Sequence, residues 1–484
     1  MMTKNKTIIL KVLVIALAIL IPVIGMIVYM MSQGLTFDQI YIPSSYWNDE
    51  LFYYKQIEGV IKYGHPQGCF GYMESQALYG NFAAWNFTNI LPFALVGKIF
   101  GWNPYTPIWF NMFIWIVALI LFALLIKPSL IQQLYIMGFF VAYSIFDRYM
   151  FSVTPEVTVA AFLFICMIFA YSYYKNDKLR YLVLCNVFLL YPVIMQGYCA
   201  IFGIIIVAIL LKKKRYLSLL VQILLVIAAV VVFVEIHKYF AAPAFSEIFT
   251  LESLTSPKLF FGKIITGWSE TLGFIKLAYQ GQSMRGVWYL IYFLLGVLII
   301  AFLIEKRNLI SLSILITYIG LIMSMWVLNS AAEGSRKLMA STMIGFIFIL
   351  YFLRFDITKI AVIIITGVVV WSSNDVFYIN LPQKNEELAA RIESHNLDEL
   401  MPISEDCWDN TVIWPLSTGH NEFYNLPAGF GISCCYDDYI YNNFDDVKSK
   451  YIAVQEGNDL DIFLQDRNCE KIATEGSVNI YSLR

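Results

Sequence analysis

The sequence TIILKVLVIALAILIPVIGMIVYMM occupies residues 7–31, and Trp47-Asn48-Asp49-Glu50 follows it closely. The first stretch is long enough to cross a bilayer as one helix. It is also too long for a signal-peptide core, so we interpret it as a retained anchor. Lys4 and Lys6 precede it, and basic residues favour the cytoplasmic side. The sequence therefore predicts the acidic pair at the outer surface of the membrane.

The composition of the chain is that of a membrane protein. Of its 484 residues, 59% are apolar and only 14% are charged, and the mean hydropathy is +0.66. Soluble domains carry roughly 25% charged residues. The chain is thus predicted to be a polytopic membrane protein with lipid as its main surroundings. Its net charge of −2 argues against a nucleic-acid partner.

Apolar runs of spanning length recur as far as about residue 372. We predict about eleven spans, at residues 7–31, 105–126, 129–146, 152–174, 181–195, 197–211, 216–234, 287–304, 309–328, 338–353 and 359–372. Basic clusters then fall on the side of the N-terminus, which is predicted to be cytoplasmic, and the C-terminus is predicted outside. This arrangement requires two short spans between residues 181 and 211, with a break near Pro192, Gln196 and Gly197.

The predicted fold is mainly α: a transmembrane bundle at residues 1–372 and a small extracytoplasmic α/β domain at residues 373–484. Long outer loops are expected at residues 32–105 and 235–286. In the C-terminal domain we expect a helix at 384–400 and strands at 411–415, 451–454, 471–474 and 479–483. An oxidising compartment would permit disulfides there, without fixing their pairing; the cysteines are Cys407, Cys434, Cys435 and Cys469.

An amphipathic pattern follows the acidic pair. The apolar residues that share one helical face are Leu51, Tyr54, Ile57 and Ile61. This spacing predicts a helix that lies in the membrane interface, and residues 82–100 predict a second one. At the N-terminus of the first helix, Asp49 and Glu50 either only cap free N–H groups or also supply a general base.

Three further acids are candidates on the predicted outer side: Glu74, Asp147 and Glu156. Each has an alternative explanation. Glu74 suits a solvated loop, Asp147 can pair with Arg148 at the interface, and Glu156 can satisfy the N-terminus of a helix that begins after Pro155.

Arg336 and Lys337 are predicted on the outer side, where basic residues are disfavoured. They either anchor a span at the interface or bind a phosphate group, which arginine can hold with two parallel hydrogen bonds. Arg148 is a further candidate for the phosphate. The chain has four histidines, and none has the spacing of a metal site. We therefore predict no metal site and no cofactor; assistance by a divalent ion stays open, although nothing in the sequence indicates one.

An acidic pair beyond the first span, two interfacial helices, about eleven spans and an outer C-terminal domain together resemble the GT-C glycosyltransferases. The likeness is to the protein mannosyltransferase and aminoarabinose transferase group, and it covers mostly residues 7–235. It implies a multi-pass enzyme of the cell membrane that transfers a sugar from a polyprenyl-phosphate donor, on the outer face, to a glycan, lipid or protein acceptor.

By this resemblance, Asp49 corresponds to the acid of the first outer loop, with Glu50 beside it. Glu74 matches a further acid of that loop by spacing alone, and Asp147 or Glu156 supplies the acid of the second loop. The C-terminal domain shares its position with this family, but its own sequence matches no known domain, so acceptor recognition stays open.

The chemistry agrees with this expectation independently of the family. A sugar on polyprenyl phosphate is already activated, so one carboxylate base and cations for the leaving phosphate suffice. Direct displacement with a single base predicts inversion at the anomeric carbon.

Two other functions stay open. An O-antigen polymerase or ligase would use a large later loop, such as residues 235–286. A transporter or flippase would explain the break near Pro192, although charged residues within the spans are scarce.

Overall fold

The structure is a computed structural model, and it describes residues 2–40, 49–64, 70–74, 87–240, 256–279, 287–304, 308–328, 334–352, 397–406, 408–418, 426–427 and 429–484. The span predicted at 359–372 and most of the helix predicted at 384–400 lie outside these residues. Within them, the N-terminal part is helical almost throughout.

Helices as far as the middle of the chain are α1 (Met2–Ser32), α2 (Asp49–Tyr63), α3 (Leu91–Phe100), α4 (Thr106–Leu125), α5 (Leu130–Ala142), α6 (Ser144–Met150), α7 (Glu156–Asn176), α8 (Leu179–Met195), α9 (Gly203–Lys212) and α10 (Tyr216–Phe240). The bundle continues with α11 (Pro257–Tyr279), α12 (Val287–Ile304), α13 (Leu309–Leu328), α14 (Gly334–Lys337) and α15 (Met339–Phe352). Helices dominate because lipid offers the backbone no hydrogen bonds.

The chain is a multi-pass membrane protein by these helices. In the described part, five are long and apolar enough to cross a membrane: α1 from Ile8 onward, α4, α7, α10 as far as Ile236, and α13. A sixth span results when α5 and α6 are counted together. Several other predicted spans correspond to shorter apolar helices, including α8 and the run Gly197–Lys212. The count of eleven stays a prediction.

The predicted span at 129–146 is bent. A capping box between Ser129 and Gln132 begins α5, and the chain turns by 71° between α5 and α6. The helical pattern of backbone hydrogen bonds is interrupted at Tyr143, whose ψ of 78° is not helical. The bend directs α6 across the bundle instead of along it.

The break predicted near Pro192 and Gln196 is the turn of a helical hairpin. A continuous helix from Asp177 to Lys213 would separate these residues by about 50 Å, at roughly 1.5 Å per residue. Instead, Lys213 Nζ lies 3.2 Å from Asp177 Oδ1. The chain therefore reverses at Gln196, as two short spans require. A reversal also accounts for the break without the discontinuous helix that suggested a transporter.

Basic loops predicted on the cytoplasmic side come together at one end of the bundle. Lys212 Nζ donates to the Tyr174 hydroxyl at 2.9 Å and to Asn308 Oδ1 at 3.3 Å. Arg215 pairs with Asp177 at 3.0 Å. These contacts put the ends of α7 and α9 and the beginning of α13 at the same level, as the positive-inside pattern predicts.

The C-terminal part contains a six-stranded sheet. Its strands are β1 (Phe70–Tyr72), β2 (Thr411–Pro415), β3 (Gly431–Cys435), β4 (Tyr451–Gln455), β5 (Glu470–Glu475) and β6 (Val478–Ser482), in the order β1-β3-β2-β4-β6-β5. The strands β1, β3, β2 and β4 pair in parallel. The strand β6 pairs antiparallel with both β4 and β5. Separate apolar clusters cover the two faces, with α16 (Leu397–Leu400), α17 (Asp437–Asn443) and α18 (Asp459–Asp466) around them.

Predictions for this sheet were right for four strands and missed two. The strand at 411–415 has the predicted bounds, and the three strands at 451–455, 470–475 and 478–482 agree within two residues. The sequence analysis missed β3 and, above all, β1. The latter comes from the first outer loop and pairs with β3.

This pairing constrains the topology. The first outer loop and the C-terminal sheet must lie on the same side of the membrane, so an even number of spans separates Glu74 from Leu397. The ten spans predicted after the first one satisfy this condition.

Cysteines of the sheet are free. Cys434, Cys435 and Cys469 form no disulfide, whereas Cys407 lies outside the described residues. Burial raises the pKa of the Cys434 thiol to about 12, so this residue is protonated and inert at neutral pH. Cys434 and Cys435 therefore act as apolar packing residues of β3.

The topology can be tested by cysteine labelling in intact cells. We expect an impermeant thiol reagent to label both Glu456→Cys in the C-terminal sheet and Met73→Cys in the first loop, because the sheet joins them on one side of the membrane, which we predict to be the outer side. Lys178→Cys, in the opposite basic loops, should stay unlabelled until the membrane is permeabilised. The wild-type chain gives the background. Opposite labelling of positions 73 and 456 would contradict the shared side, and labelling of position 178 would reverse the orientation.

Candidate active site

The acidic pair lies at the first turn of α2. Asp49 is the first residue of this helix, and its side chain lies outside the described part. Glu50 follows and is only 4% exposed. The helix presses Tyr53, Tyr54 and Ile57 into the core, and Tyr54 packs on the Trp102 ring at 4.9 Å. The predicted amphipathic helix is therefore present, with its apolar face against protein.

Glu50 forms a buried ion pair with Arg148. Glu50 Oε1 lies 3.3 Å from Arg148 Nη2, and both side chains are at most 5% exposed. The bend before α6 brings Arg148 into the bundle. Its Nε and Nη1 atoms have no hydrogen-bond partner among the described residues. Unsatisfied donors of a buried guanidinium are suited to an anionic group of a ligand.

Asp147 is the least satisfied acid of this region. It is 1% exposed, and neither carboxylate oxygen has a hydrogen-bond partner in the described part of the chain. Space for it exists because residue 25 on α1 is glycine; a Cβ atom there would overlap Asp147 Oδ1. Burying a carboxylate without donors is costly. Asp147 therefore does not make the pair with Arg148 that the sequence allowed as an alternative.

A second acid–base pair joins α7 to α14. Arg336 Nε lies 3.5 Å from Glu156 Oε1; the Glu156 side chain is 4% exposed and that of Arg336 21%. The Tyr198 hydroxyl donates to the Lys337 carbonyl at 3.3 Å and to Gln196 Oε1 at 2.5 Å. The bond to the Lys337 carbonyl holds the short helix α14 over the turn of the α8–α9 hairpin. The Lys337 side chain is half-buried beside it.

Residues inside α4 hold the connection between the two pairs. Asn111 Nδ2 donates to the carbonyls of Met150 at 3.1 Å and Ser152 at 2.7 Å. Trp115 Nε1 donates to the Val157 carbonyl at 3.2 Å. These bonds fix the chain between Arg148 and Glu156. Sequence analysis missed Asn111, although an asparagine in an apolar span is a signal for a polar contact.

Glu74 does not share this environment. Its carboxylate accepts hydrogen bonds from the backbone N–H groups of Lys448 and Ser449 and from the Tyr439 hydroxyl. All three donors belong to the C-terminal sheet and its connections. The contacts of Glu74 are those of an anchor, and we do not include it among the acids near α2.

Electrostatically, the region contains paired charges of both signs in surroundings of low dielectric constant. Such charges interact far more strongly than they would in water. No group of three or more potential metal ligands occurs in the parts of the chain that the structure describes. The arrangement suits chemistry on a substrate that carries its own negative charge and needs a proton removed.

Comparisons with known proteins agree with this fold. No protein-family model matches the chain, and no curated protein matches it. The apo crystal structure of ArnT from Cupriavidus metallidurans is similar, with a TM-score of 0.50 at 9% sequence identity, over 96% of this chain and 97% of that chain. A second ArnT structure from this organism, bound to undecaprenyl phosphate, gives a TM-score of 0.41 at 11% identity, over 96% of this chain and 97% of that chain. The chain therefore shares its overall fold with the apo ArnT structure.

Proposed function

We propose that the protein is a membrane glycosyltransferase that moves a sugar from a polyprenyl-phosphate donor to an acceptor hydroxyl. One observation carries the proposal: the buried pair Glu50–Arg148 and the partly buried pair Glu156–Arg336 flank one connection of the bundle beside the start of α2. The GT-C-like fold supports the same conclusion.

The proposed reaction needs one base and a stabilised leaving group. The acceptor oxygen attacks the anomeric carbon while Asp49 takes the hydroxyl proton. The bond between that carbon and the phosphate oxygen breaks, and polyprenyl phosphate leaves with the electron pair. A single displacement inverts the anomeric configuration and forms no glycosyl-enzyme. Nothing in this step requires a cofactor, and we assign none.

Different residues are proposed to act on different parts of the donor. Arg148 holds Glu50 and so orients the first turn of α2, where Asp49 lies. Arg336 contacts the donor phosphate, oriented by Glu156, with Lys337 beside it. Arg148 is a second phosphate candidate, because two of its nitrogen atoms are buried without a partner in the described part. Asp147 is an additional acid whose role we leave unassigned.

The proposed site faces the outer side of the cell membrane. The N-terminus is then cytoplasmic, and the C-terminal sheet is extracytoplasmic beside the acceptor, which is a glycan, lipid or protein. The polyprenyl chain of the donor remains in the bilayer throughout. In this placement, the Glu50–Arg148 and Glu156–Arg336 pairs lie on the outer side, and the basic loops around Lys212 and Arg215 lie on the cytoplasmic side.

A panel of polyprenyl-phosphate sugars tests the function directly. Purified protein in detergent or nanodiscs should consume one donor and release polyprenyl phosphate, with an inverted product when an acceptor is present. A product of many sugar units from one lipid carrier would favour the polymerase instead. No consumption of any donor by folded protein would contradict the proposal.

Asp49→Asn should abolish most turnover without changing the fold. Losing a general base costs about 10²–10⁴-fold in rate, whereas the asparagine amide keeps the size and helix-capping ability of the side chain. Donor binding should stay close to that of the wild type. Steady-state kinetics and donor binding in one preparation measure the effect. If Glu50→Gln loses turnover and Asp49→Asn does not, the base is Glu50.

The Glu50–Arg148 pair should contribute to stability as well. Removing one partner of a buried ion pair costs about 3–5 kcal/mol, so Arg148→Met should lower the melting temperature strongly. Glu50→Met/Arg148→Met should lose less than the sum of the single variants. A double-mutant cycle of melting curves in detergent measures this coupling. Additive losses would show that the two side chains do not interact.

Arg336 is expected to act on the leaving phosphate. This contact strengthens as charge develops on the phosphate, so Arg336→Ala should lower kcat as well as donor affinity. Arg336→Lys should recover only part, because lysine lacks the planar fork. Lys178→Ala, from the opposite end, is the matched control. Wild-type kinetics in folded Arg336→Ala would leave Arg336 as an interfacial anchor, and the same assay on Arg148→Ala would then decide whether Arg148 replaces it.

A further inference from the structure

The first outer loop forms one edge of the C-terminal sheet. Phe70, Gly71 and Tyr72 pair in parallel with Ile432, Ser433 and Cys434 of β3. The Met73 N–H group extends this ladder by donating to the Cys434 carbonyl at 2.8 Å. A segment near the beginning of the chain is thus built into a sheet near its end.

Glu74 fastens this edge to the rest of the sheet. Its backbone N–H donates to Ser433 Oγ at 2.8 Å. Its carboxylate, in a residue that is 6% exposed, accepts from the N–H groups of Lys448 at 3.0 Å and Ser449 at 2.7 Å. The Tyr439 hydroxyl donates to it at 3.3 Å. Hydrogen bonds to an ionised acceptor are about twice as strong as neutral ones.

The local backbone and the tyrosine are both adapted to this contact. Met73 and Glu74 have φ angles of +47° and +54°, in the left-handed region that is unfavourable for residues other than glycine. This left-handed turn directs the carboxylate back onto the sheet. Burial, and then the Glu74 charge, raise the pKa of Tyr439 to about 12, so Tyr439 remains a donor at neutral pH.

In the sequence, α2 lies between the first span and this anchor. Its first turn is held by the Glu50–Arg148 pair, and after Gly64 only residues 65–69 separate it from β1. At roughly 3.5 Å per residue, this connection reaches at most about 20 Å. Release of β1 would therefore remove a restraint on the C-terminal end of α2, the helix that begins with Asp49 and whose Ile61 also packs against Gly97 of α3.

We propose that Glu74 is a positioning residue: by fastening β1 to the C-terminal sheet, it holds α2 in the orientation that the transfer step requires. This inference rests on the function proposed above. The C-terminal sheet then acts on catalysis through the first outer loop, without contributing a side chain to the reacting atoms.

Hydrogen exchange and kinetics on Glu74→Ala test the proposal together. Amides of residues 70–74 should lose protection, and so should those of α2. Misplacement of a catalytic group lowers turnover by about 10- to 100-fold, and we expect a fall in kcat of this size with an unchanged KM for the donor. Glu74→Gln, which keeps one acceptor oxygen of the same reach, should restore part of both effects.

Asp461→Asn provides a matched control. Asp461 is a buried carboxylate of α18 that accepts hydrogen bonds from Tyr481 at 2.6 Å and Asn479 at 3.0 Å, both in β6, and it has no contact with the described residues of the first loop. Its substitution should destabilise the sheet while α2 stays protected and kcat stays near that of the wild type. An equal fall in kcat for Asp461→Asn, at an equal loss of stability, would reduce Glu74 to a structural role.

The exchange measurement separates this inference from the function on which it rests. If loss of protection in Glu74→Ala stops at residues 70–74 and α2 is unchanged, the coupling is refuted whatever the activity. If α2 loses protection but kcat is unchanged, positioning is refuted as well. If the wild type consumes no donor, the proposed function fails, whereas protection of α2 still shows whether Glu74 holds this helix.

Discussion

The buried pair of Glu50 and Arg148 is the contact on which the arrangement of this protein depends. Two charges withdrawn from water are costly unless they meet each other, and a lone charge in such surroundings would be far worse. Formation of the pair therefore depends on three features. These are the position of the first turn of α2, the 71° bend that directs α6 inward, and the glycine at position 25, which leaves room for Asp147 beside Arg148. A change in any of them would separate Glu50 from Arg148 and leave a buried charge without its partner. The pair therefore holds α2 against the bundle.

Features that depend on local patterns could be predicted from the sequence. Long apolar runs define α1, α4, α7, α10 and α13, because lipid requires the backbone bonds to be satisfied within each helix. The hairpin at Gln196 followed from a run too long for one span together with a proline near its middle. The strand at 411–415 has its predicted bounds because parallel strands that are covered on both faces are continuously apolar. The acids and arginines that form the two ion pairs were singled out by residue type and by predicted depth.

Features that depend on distant partners could not be predicted. The three residues of β1 are too few for a strand pattern, and their partner in β3 lies some 360 positions away. Glu74 looked like another loop acid, since the backbone donors of Lys448 and Ser449 have no side-chain signature. In the same way, the pairing of Glu156 with Arg336 rather than with Arg148 depends on how α6 and α14 pack. Residue type indicated which side chains carry charge, and only the fold determined which of them meet.

The charge balance shows how such a site can bind an anion. Near the connection from α6 to α7, the carboxylates of Glu50 and Glu156 pair with the guanidinium groups of Arg148 and Arg336, so the formal charges of these four cancel. In the proposed reaction, a donor phosphate would share guanidinium groups that carboxylates already engage. Sharing weakens binding of the phosphate in the ground state. The interaction between guanidinium and phosphate then strengthens as the departing phosphate gains charge, and an interaction that strengthens in the transition state raises kcat instead of only lowering KM. A site of balanced pairs, held rigidly at low dielectric constant, is thus better suited to the transfer step than an excess of lysines would be.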